Sequence, residues 1–397
     1  MKLQSIFRGI VLSSVSIAYV TSANSFTEAL TQGKANGDIR IRYETVQQDN
    51  ALEDANALTL RTRIGYKTGE LNGFSAFTEF EDVRITAGVD DYSVPPTGFQ
   101  TGEFSVVADP EVTELDQGFL QYSNGSFTAK VGRQVMVFDN HRFIGHVGWR
   151  QDRQTFDGAS FNLKPNKNLS LNYNYINKRN RIFAEAADQD SNDHLLHAAY
   201  KTPIGTITGY AYLLEQDNAL DTTYDTFGLR FNGQNGKWSY IAELASQSFE
   251  AGTIEADANY IMAELGYNFG PVTVKGSYEL LGSDNGNYGF STPLATLHKF
   301  NGWADLFLAT PTQGLEDTAI SIGGKLFQGA WIIRYHNFST DESAPNDDLG
   351  DEVDFEYKRK FAKHYNFGLR AAFYSDADGP GGRVDTDKVW FWVGASF

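Results

Sequence analysis

In the run Asp38-Ile39-Arg40-Ile41-Arg42-Tyr43-Glu44 every odd position is apolar or aromatic and every even position is charged. Successive side chains of a strand point to opposite faces of the sheet. As a strand, this run therefore has one fatty face and one ionic face. The pattern recurs along the chain. Leu58, Leu60, Ile64 and Tyr66 alternate with Arg61, Arg63 and Lys67, and Leu169, Leu171, Tyr173 and Tyr175 alternate with Ser170, Asn172 and Asn174. Further copies set Trp238, Tyr240 and Leu244 against Ser239 and Glu243, Val353, Phe355 and Tyr357 against Glu352, Asp354 and Glu356, and Phe367, Leu369 and Phe373 against Asn366 and Arg370. A soluble β-sandwich also alternates, but its strands are shorter. Runs of about ten residues match a tilted bilayer crossing, and aromatic residues near their ends suit the membrane interface.

Connections alternate too. Tight turns are expected at residues 69–73, 123–126, 164–168, 202–205, 233–236 and 270–271, and long polar loops at 82–112, 135–151, 178–193, 282–314 and 339–350. Short turns on one side and long loops on the other are the rule for outer-membrane barrels. The fold class that follows is all-β: a transmembrane, antiparallel, up-and-down β-barrel of about 18 strands, with 16 as the other even count. No run of roughly 18 apolar residues is present to form a transmembrane helix.

The ends agree with export to such a membrane. Lys2 and Arg8 precede the short apolar stretch from Ile10 to Val20, and small residues follow at Thr21-Ser22-Ala23. Residues 1–23 are expected to be a cleaved signal peptide, with a mature start near Asn24. Residues 24–36 would be a short periplasmic segment able to form one helical turn, and 37–397 the barrel. At the other end Val389, Phe391, Val393, Ala395 and Phe397 alternate with Lys388, Trp390, Trp392, Gly394 and Ser396. A last strand closed by an aromatic resembles the signal read by the outer-membrane insertion machinery. The expected location is the outer membrane of a Gram-negative cell, with lipid and lipopolysaccharide around the barrel.

Composition removes other classes. With no cysteine there is neither a disulfide framework nor a thiolate site. Acids outnumber bases 50 to 33, and loss of Lys2 and Arg8 would take the net charge from -17 to -19, which argues against a nucleic-acid partner. His194 and His197 stand three apart on an expected strand, so they face opposite ways and cannot share a metal. No HExxH, GxSxG, phosphate-loop or dinucleotide fingerprint occurs. The loop from Asp376 to Asp387 partly echoes a calcium loop, with Gly381 at the sixth position, but Pro380 replaces a ligand. The reading is of a non-enzyme without cofactor or metal. A Ser, His and Asp set assembled on a rim would still make a hydrolase, since such triads are invisible in sequence.

Several segments carry a family resemblance: Gly37 to Glu44, Leu60-Arg61-Thr62-Arg63-Ile64-Gly65-Tyr66, Val131-Gly132-Arg133-Gln134 leading to Asp139-Asn140-His141-Arg142-Phe143, Gly148-Trp149-Arg150-Gln151, Phe290-Ser291-Thr292-Pro293-Leu294, and His298 to Asp305. Over nearly the whole mature chain the sequence resembles the alginate-export family of outer-membrane barrels. The resemblance implies an 18-stranded monomeric pore, with an acidic sugar or another anion as cargo.

Selectivity would then lie on the ionic face. If the first hairpin pairs Val46 with Ala57, Arg42 faces Arg61 and Arg40 faces Arg63, with Glu79 and Glu81 on the next strand near Arg61. Like charges opposed across a sheet need water, carboxylates or a bound anion between them. Two readings stay open: a basic stripe that attracts anions, and a salt-bridged wall. Arg370 would join this sector when the last strand meets the first. In the segment from Asp139 to Arg153, Arg142, Arg150 and Arg153 would carry charge on a loop folded into the channel, the alternative being a solvated outer loop. The loop 290–311 holds Leu294, Leu297, Phe300, Trp303, Leu306 and Phe307, too many for a free surface loop. It should plug the pore or pack on its rim. The expected role is passage of small polar or anionic solutes, the alternative a structural or adhesive barrel with a plugged lumen.

Overall fold

The structure, a computed structural model, describes residues 23–343, 346–377 and 382–397. The expected leader lies outside the described residues except for Ala23, and so do four residues of the loop that echoes a calcium site. Eighteen strands form one sheet: β1 (Lys34–Gln48), β2 (Ala55–Lys67), β3 (Phe74–Asp91), β4 (Val112–Asn124), β5 (Phe127–Gln134), β6 (Thr155–Leu163), β7 (Leu169–Asn180), β8 (Gln189–Thr202), β9 (Gly205–Gln216), β10 (Thr222–Asn235), β11 (Trp238–Ala251), β12 (Ile254–Asn268), β13 (Val272–Leu281), β14 (Leu315–Leu326), β15 (Gly329–Ser339), β16 (Asp348–Phe361), β17 (Tyr365–Ser375) and β18 (Thr386–Ser396). Each pairs antiparallel with its neighbours in sequence, and β18 pairs with β1 from Asp38 opposite Ser396 to Gln48 opposite Thr386. The sheet is therefore a closed barrel with no free edge strand, as the hydrocarbon of a membrane requires.

The two faces separate as the alternation requires. Large apolar side chains such as Ile64, Phe80, Leu120, Leu229, Leu244, Leu265 and Ile320 are exposed on the outside. Arg42, Glu44, Arg61, Arg63, Glu81, Glu243, Asp317, Glu352 and Asp354 alternate with the outward positions and are buried inside. Aromatic pairs gather at the short-turn rim, among them Trp238 with Tyr267 at 4.7 Å, Tyr267 with Phe269 at 4.7 Å and Phe361 with Tyr365 at 5.6 Å. Their amphipathic rings suit the headgroup level.

The helical turn near the amino end is α1 (Phe26–Thr31), capped by the Ser25 side chain accepting from the Glu28 amide. Gly69 in the β2–β3 turn donates its amide to Ala29 at 2.8 Å, so α1 sits at the short-turn end. The first strand begins at Lys34, three residues before the expected boundary.

At the carboxyl end Phe397 donates its amide to the Gly37 carbonyl at 3.0 Å, and Gly37 returns a bond at 3.1 Å. The Phe397 ring lies over Gly37, where a Cβ would come within 2.3 Å of it. Glycine at 37 lets the terminal ring cover the seam.

Three expectations need correction. The first hairpin pairs Val46 with Ala55, so Arg40 faces Arg61, Arg42 faces Thr59 and Asp38 faces Arg63. A slip of two residues keeps every side chain on its face, so alternation cannot detect it. Second, β3 runs on to Asp91, nine residues past the expected loop start. There the pairing jumps from Thr59–Ile85 to Ala57–Asp90, and Ala87 and Gly88 take positive φ, so a bulged strand looks like a polar loop in sequence. Third, the loop expected at 178–193 is only 181–188, because β7 and β8 extend towards each other.

Candidate constriction of the lumen

Two long connections turn into the barrel. Residues 135–154 join β5 to β6, and residues 282–314 join β13 to β14. Phe143, Ile144, Phe290, Leu294, Trp303 and Phe307 from these loops share an apolar cluster with inward residues of the wall, including Tyr210, Tyr212, Tyr260, Phe338, Tyr374 and Trp390. Burial of those side chains offsets the cost of ordering two long loops. The apolar content of 290–307 is thus used inside the barrel. The first loop lies against the wall from β1 to β4: Gln151 and Asp152 have no exposure, and Arg150 has 5%.

Electrostatics fix the first loop to that wall. Arg40 donates to the carbonyls of Trp149 (2.8 Å) and Arg150 (2.7 Å) and to Gln151 Oε1 (2.9 Å). Arg42 donates to the Trp149 carbonyl at 2.6 Å and is ion-paired with Asp109 of the β3–β4 loop. Gln151 in turn donates to Thr59 at 2.9 Å. The like charges Arg40 and Arg61 do stand opposite each other, but loop carbonyls hold one and Asp38 the other. Arg63 is paired with Glu81, and Arg153 with Glu79 and Asp116. Glu79 and Glu81 thus take partners other than Arg61, which follows from the β2–β3 register, where Glu81 stands opposite Arg63, Glu79 opposite Gly65 and Val83 opposite Arg61. Arg370 is paired with Glu356. Of the two readings of the basic face, the contacts agree with the salt-bridged wall.

Arg150 joins both loops to the wall, 3.0 Å from Glu44 of β1 and 3.0 Å from Asp305 of the second loop. Asp305 also meets Lys388 of β18 at 3.2 Å and His298 Nδ1 at 2.7 Å. Arg370 NH1 is 2.6 Å from His298 Nε2. Arginine can only donate, so Nε2 accepts and Nδ1 carries the proton given to Asp305. Burial lowers the His298 imidazole to about 4, so it is neutral at pH 7. Burial alone would raise the Asp305 carboxyl, but His298, Lys388 and Arg150 together hold it well below the usual range. The Arg370 guanidinium lies over two indoles, 3.9 Å from the Trp149 ring centre and 4.1 Å from that of Trp303, one from each loop. Arg142 is 2.9 Å from Glu279 of β13 and 3.1 Å from Asn301.

Missing from the sequence reading were Asp109, Asp305, Lys388 and Arg181. Asp305 lies in the run from His298 to Asp305, yet nothing in its spacing marked it as the meeting point of two cations and a neutral imidazole. Among the described residues, no group of three or more His, Asp or Glu side chains is arranged to hold a metal.

A closed 18-stranded barrel with an apolar outer band and two loops drawn into its lumen is an outer-membrane protein of the porin class. The alginate-export family model matches residues 30–280, and the chain belongs to that family. No curated protein matches the sequence. Solved structures share the fold at low identity. Acinetobacter baumannii OccAB4 superposes with a TM-score of 0.72 at 13% identity, covering 93% of this chain and 98% of that one. Pseudomonas aeruginosa OccK3 (OpdO) gives 0.70 at 14% identity, with 94% and 97% covered. Pseudomonas aeruginosa OpdK, solved with vanillate, gives 0.68 at 13% identity, with 93% and 99% covered. The Occ and Opd proteins are outer-membrane porins.

Proposed function

We propose that this barrel is a passive channel for small polar or anionic solutes, acidic sugars such as alginate oligosaccharides among them. The observation that carries the reading is the pair of inserted loops, cross-linked through Arg150 and Asp305, which narrow an otherwise polar lumen. A narrowing lined by fixed charges selects solutes by size and sign. Lumen-facing Asn232 and Gln234 near the short-turn rim are exposed, as a wet vestibule below the narrowing requires. Arg40, Arg42, Arg61, Arg63, Glu79, Glu81, Arg142, Arg150, Arg153 and Arg370 are the residues we assign to the lining and to selectivity.

A second reading has its own support. Full burial of Gln151, Asp152, Gln154 and Thr155 fits a plugged barrel whose outer loops are the working surface. Planar-bilayer recording separates the two: a channel gives stepwise conductance, and a plugged barrel gives none. In the channel, replacing Arg61 and Arg63 by Gln leaves Asp38 and Glu81 without their partners. The reversal potential should then move towards cation preference. An unchanged potential would remove those arginines from selectivity.

A further inference from the structure

We infer that a separate binding site for a small ring-borne carboxylate lies between the second inserted loop and the wall of β7 to β10. It deepens the channel reading by adding a capture point on the long-loop side, away from the Arg150–Asp305 junction. A cavity of about 240 Å³ opens there, bounded by Arg179, Gln216 and Tyr224 from the wall, Thr292, Leu297 and Leu308 from the loop, and Arg181 just beyond β7. That is near the lower end of ligand-pocket volumes, roughly 300 Å³, and suits a single ring.

Charge decides what it would hold. Arg179 is spent on Asp193, with bonds of 2.9 and 2.6 Å. Asp188 accepts from the Arg181 amide at 2.9 Å and meets Lys178 at 3.0 Å. Both nearby acids therefore have partners. The Arg181 guanidinium uses only NH1, on Gln154 Oε1 and on the Pro293 carbonyl at 2.9 Å, and makes no ion pair among the described residues. Its Nε and NH2 have no acceptor among the described residues and are not enclosed, on a side chain that lines the cavity. Burial lowers this group to about 10, which leaves it charged at neutral pH. Two adjacent donors of a guanidinium match the two oxygens of a carboxylate. The Tyr224 and Thr292 hydroxyls face ring hydroxyls, and Leu297 and Leu308 give an apolar surface for ring carbons.

The test is calorimetric titration of the full-length mature protein in detergent micelles with D-glucuronate, with D-glucose as the uncharged control. One saturable glucuronate site is expected, with glucose at least about tenfold weaker. Arg181→Gln should weaken glucuronate by about tenfold or more, and Arg181→Lys should recover part of it. Because Arg181 also braces Pro293, Tyr224→Phe serves as a second variant that removes a hydroxyl and no packing. It should weaken glucuronate by a few-fold. Wild-type affinity in both Arg181→Gln and Tyr224→Phe, glucose binding as tight as glucuronate, or no saturable binding would overturn the site. Conductance measured beside the titration keeps the two proposals apart. A silent barrel that binds glucuronate loses the channel and keeps the site, and a conducting barrel that binds none loses the site and keeps the channel.

Discussion

Arg150 of the first inserted loop stands 3.0 Å from Asp305 of the second, and both side chains are almost wholly buried. Removing one member of such a pair leaves an uncompensated charge, which costs about 3–5 kcal/mol. Asp305→Asn leaves Lys388 without its carboxylate, leaves Arg150 with Glu44 alone, and offers His298 a neutral acceptor in place of a charged one. The inserted loops are expected to detach from the wall while the barrel, held by its closed ladder, stays folded. Hydrogen exchange should rise in residues 135–154 and 282–314 and remain slow in the strands.

Acid should loosen the same junction. His298 lies at about 4 in the folded protein against about 6.5 when unfolded. Between those values the unfolded chain binds the extra proton, so this contribution is complete above pH 6.5 and declines as pH falls towards 4. Asp305, depressed by its three partners, adds a loss of the same sign at still lower pH. Thermal unfolding followed from pH 8 to 4 should show the decline below 6.5, and His298→Gln should make it shallower in that window, the remainder coming from His141 and His146, which burial also lowers.

Arg370 places one guanidinium against an indole from each loop. Cation–π contacts are worth about 0.5–2 kcal/mol each. Arg370→Met keeps an unbranched apolar stem and loses both contacts, the hydrogen bond to His298 and the pair with Glu356. Tryptophan emission should shift and broaden as Trp149 and Trp303 gain freedom. Arg370→Lys should restore little, because a compact ammonium does not stack on an indole as a planar guanidinium does.

The seam has its own test. A Cβ at position 37 would meet the Phe397 ring at 2.3 Å, so Gly37→Val should displace that ring. Phe397→Ala removes it. Each is expected to lower the yield of heat-modifiable barrel in a folding assay. The double variant should do little further harm, since both changes remove one contact.

Much of this was legible in the sequence, for reasons that residues show. Ile39, Ile41 and Tyr43 against Arg40, Arg42 and Glu44 fixed the faces of β1, because the period of a strand is two. The partner of Arg40 was not legible, because a two-residue slip leaves that alternation intact. Trp303 and Phe307 showed that their loop must pack somewhere. That they meet Arg370, Phe338 and Tyr374 depends on how 18 strands close, which no local pattern encodes. Arg181 gave no signal, since an arginine that closes the basic run Lys178-Arg179-Asn180-Arg181 looks like any solvated loop charge. Its meaning comes from the second loop, more than a hundred residues away.

Single-channel recording of the wild type beside Asp305→Asn tests the loop-narrowed channel most directly. The expected result is discrete, small conductance steps from the wild type and larger, noisier openings from the variant. A silent wild type, or identical steps from the two proteins, would contradict a pore narrowed by these loops.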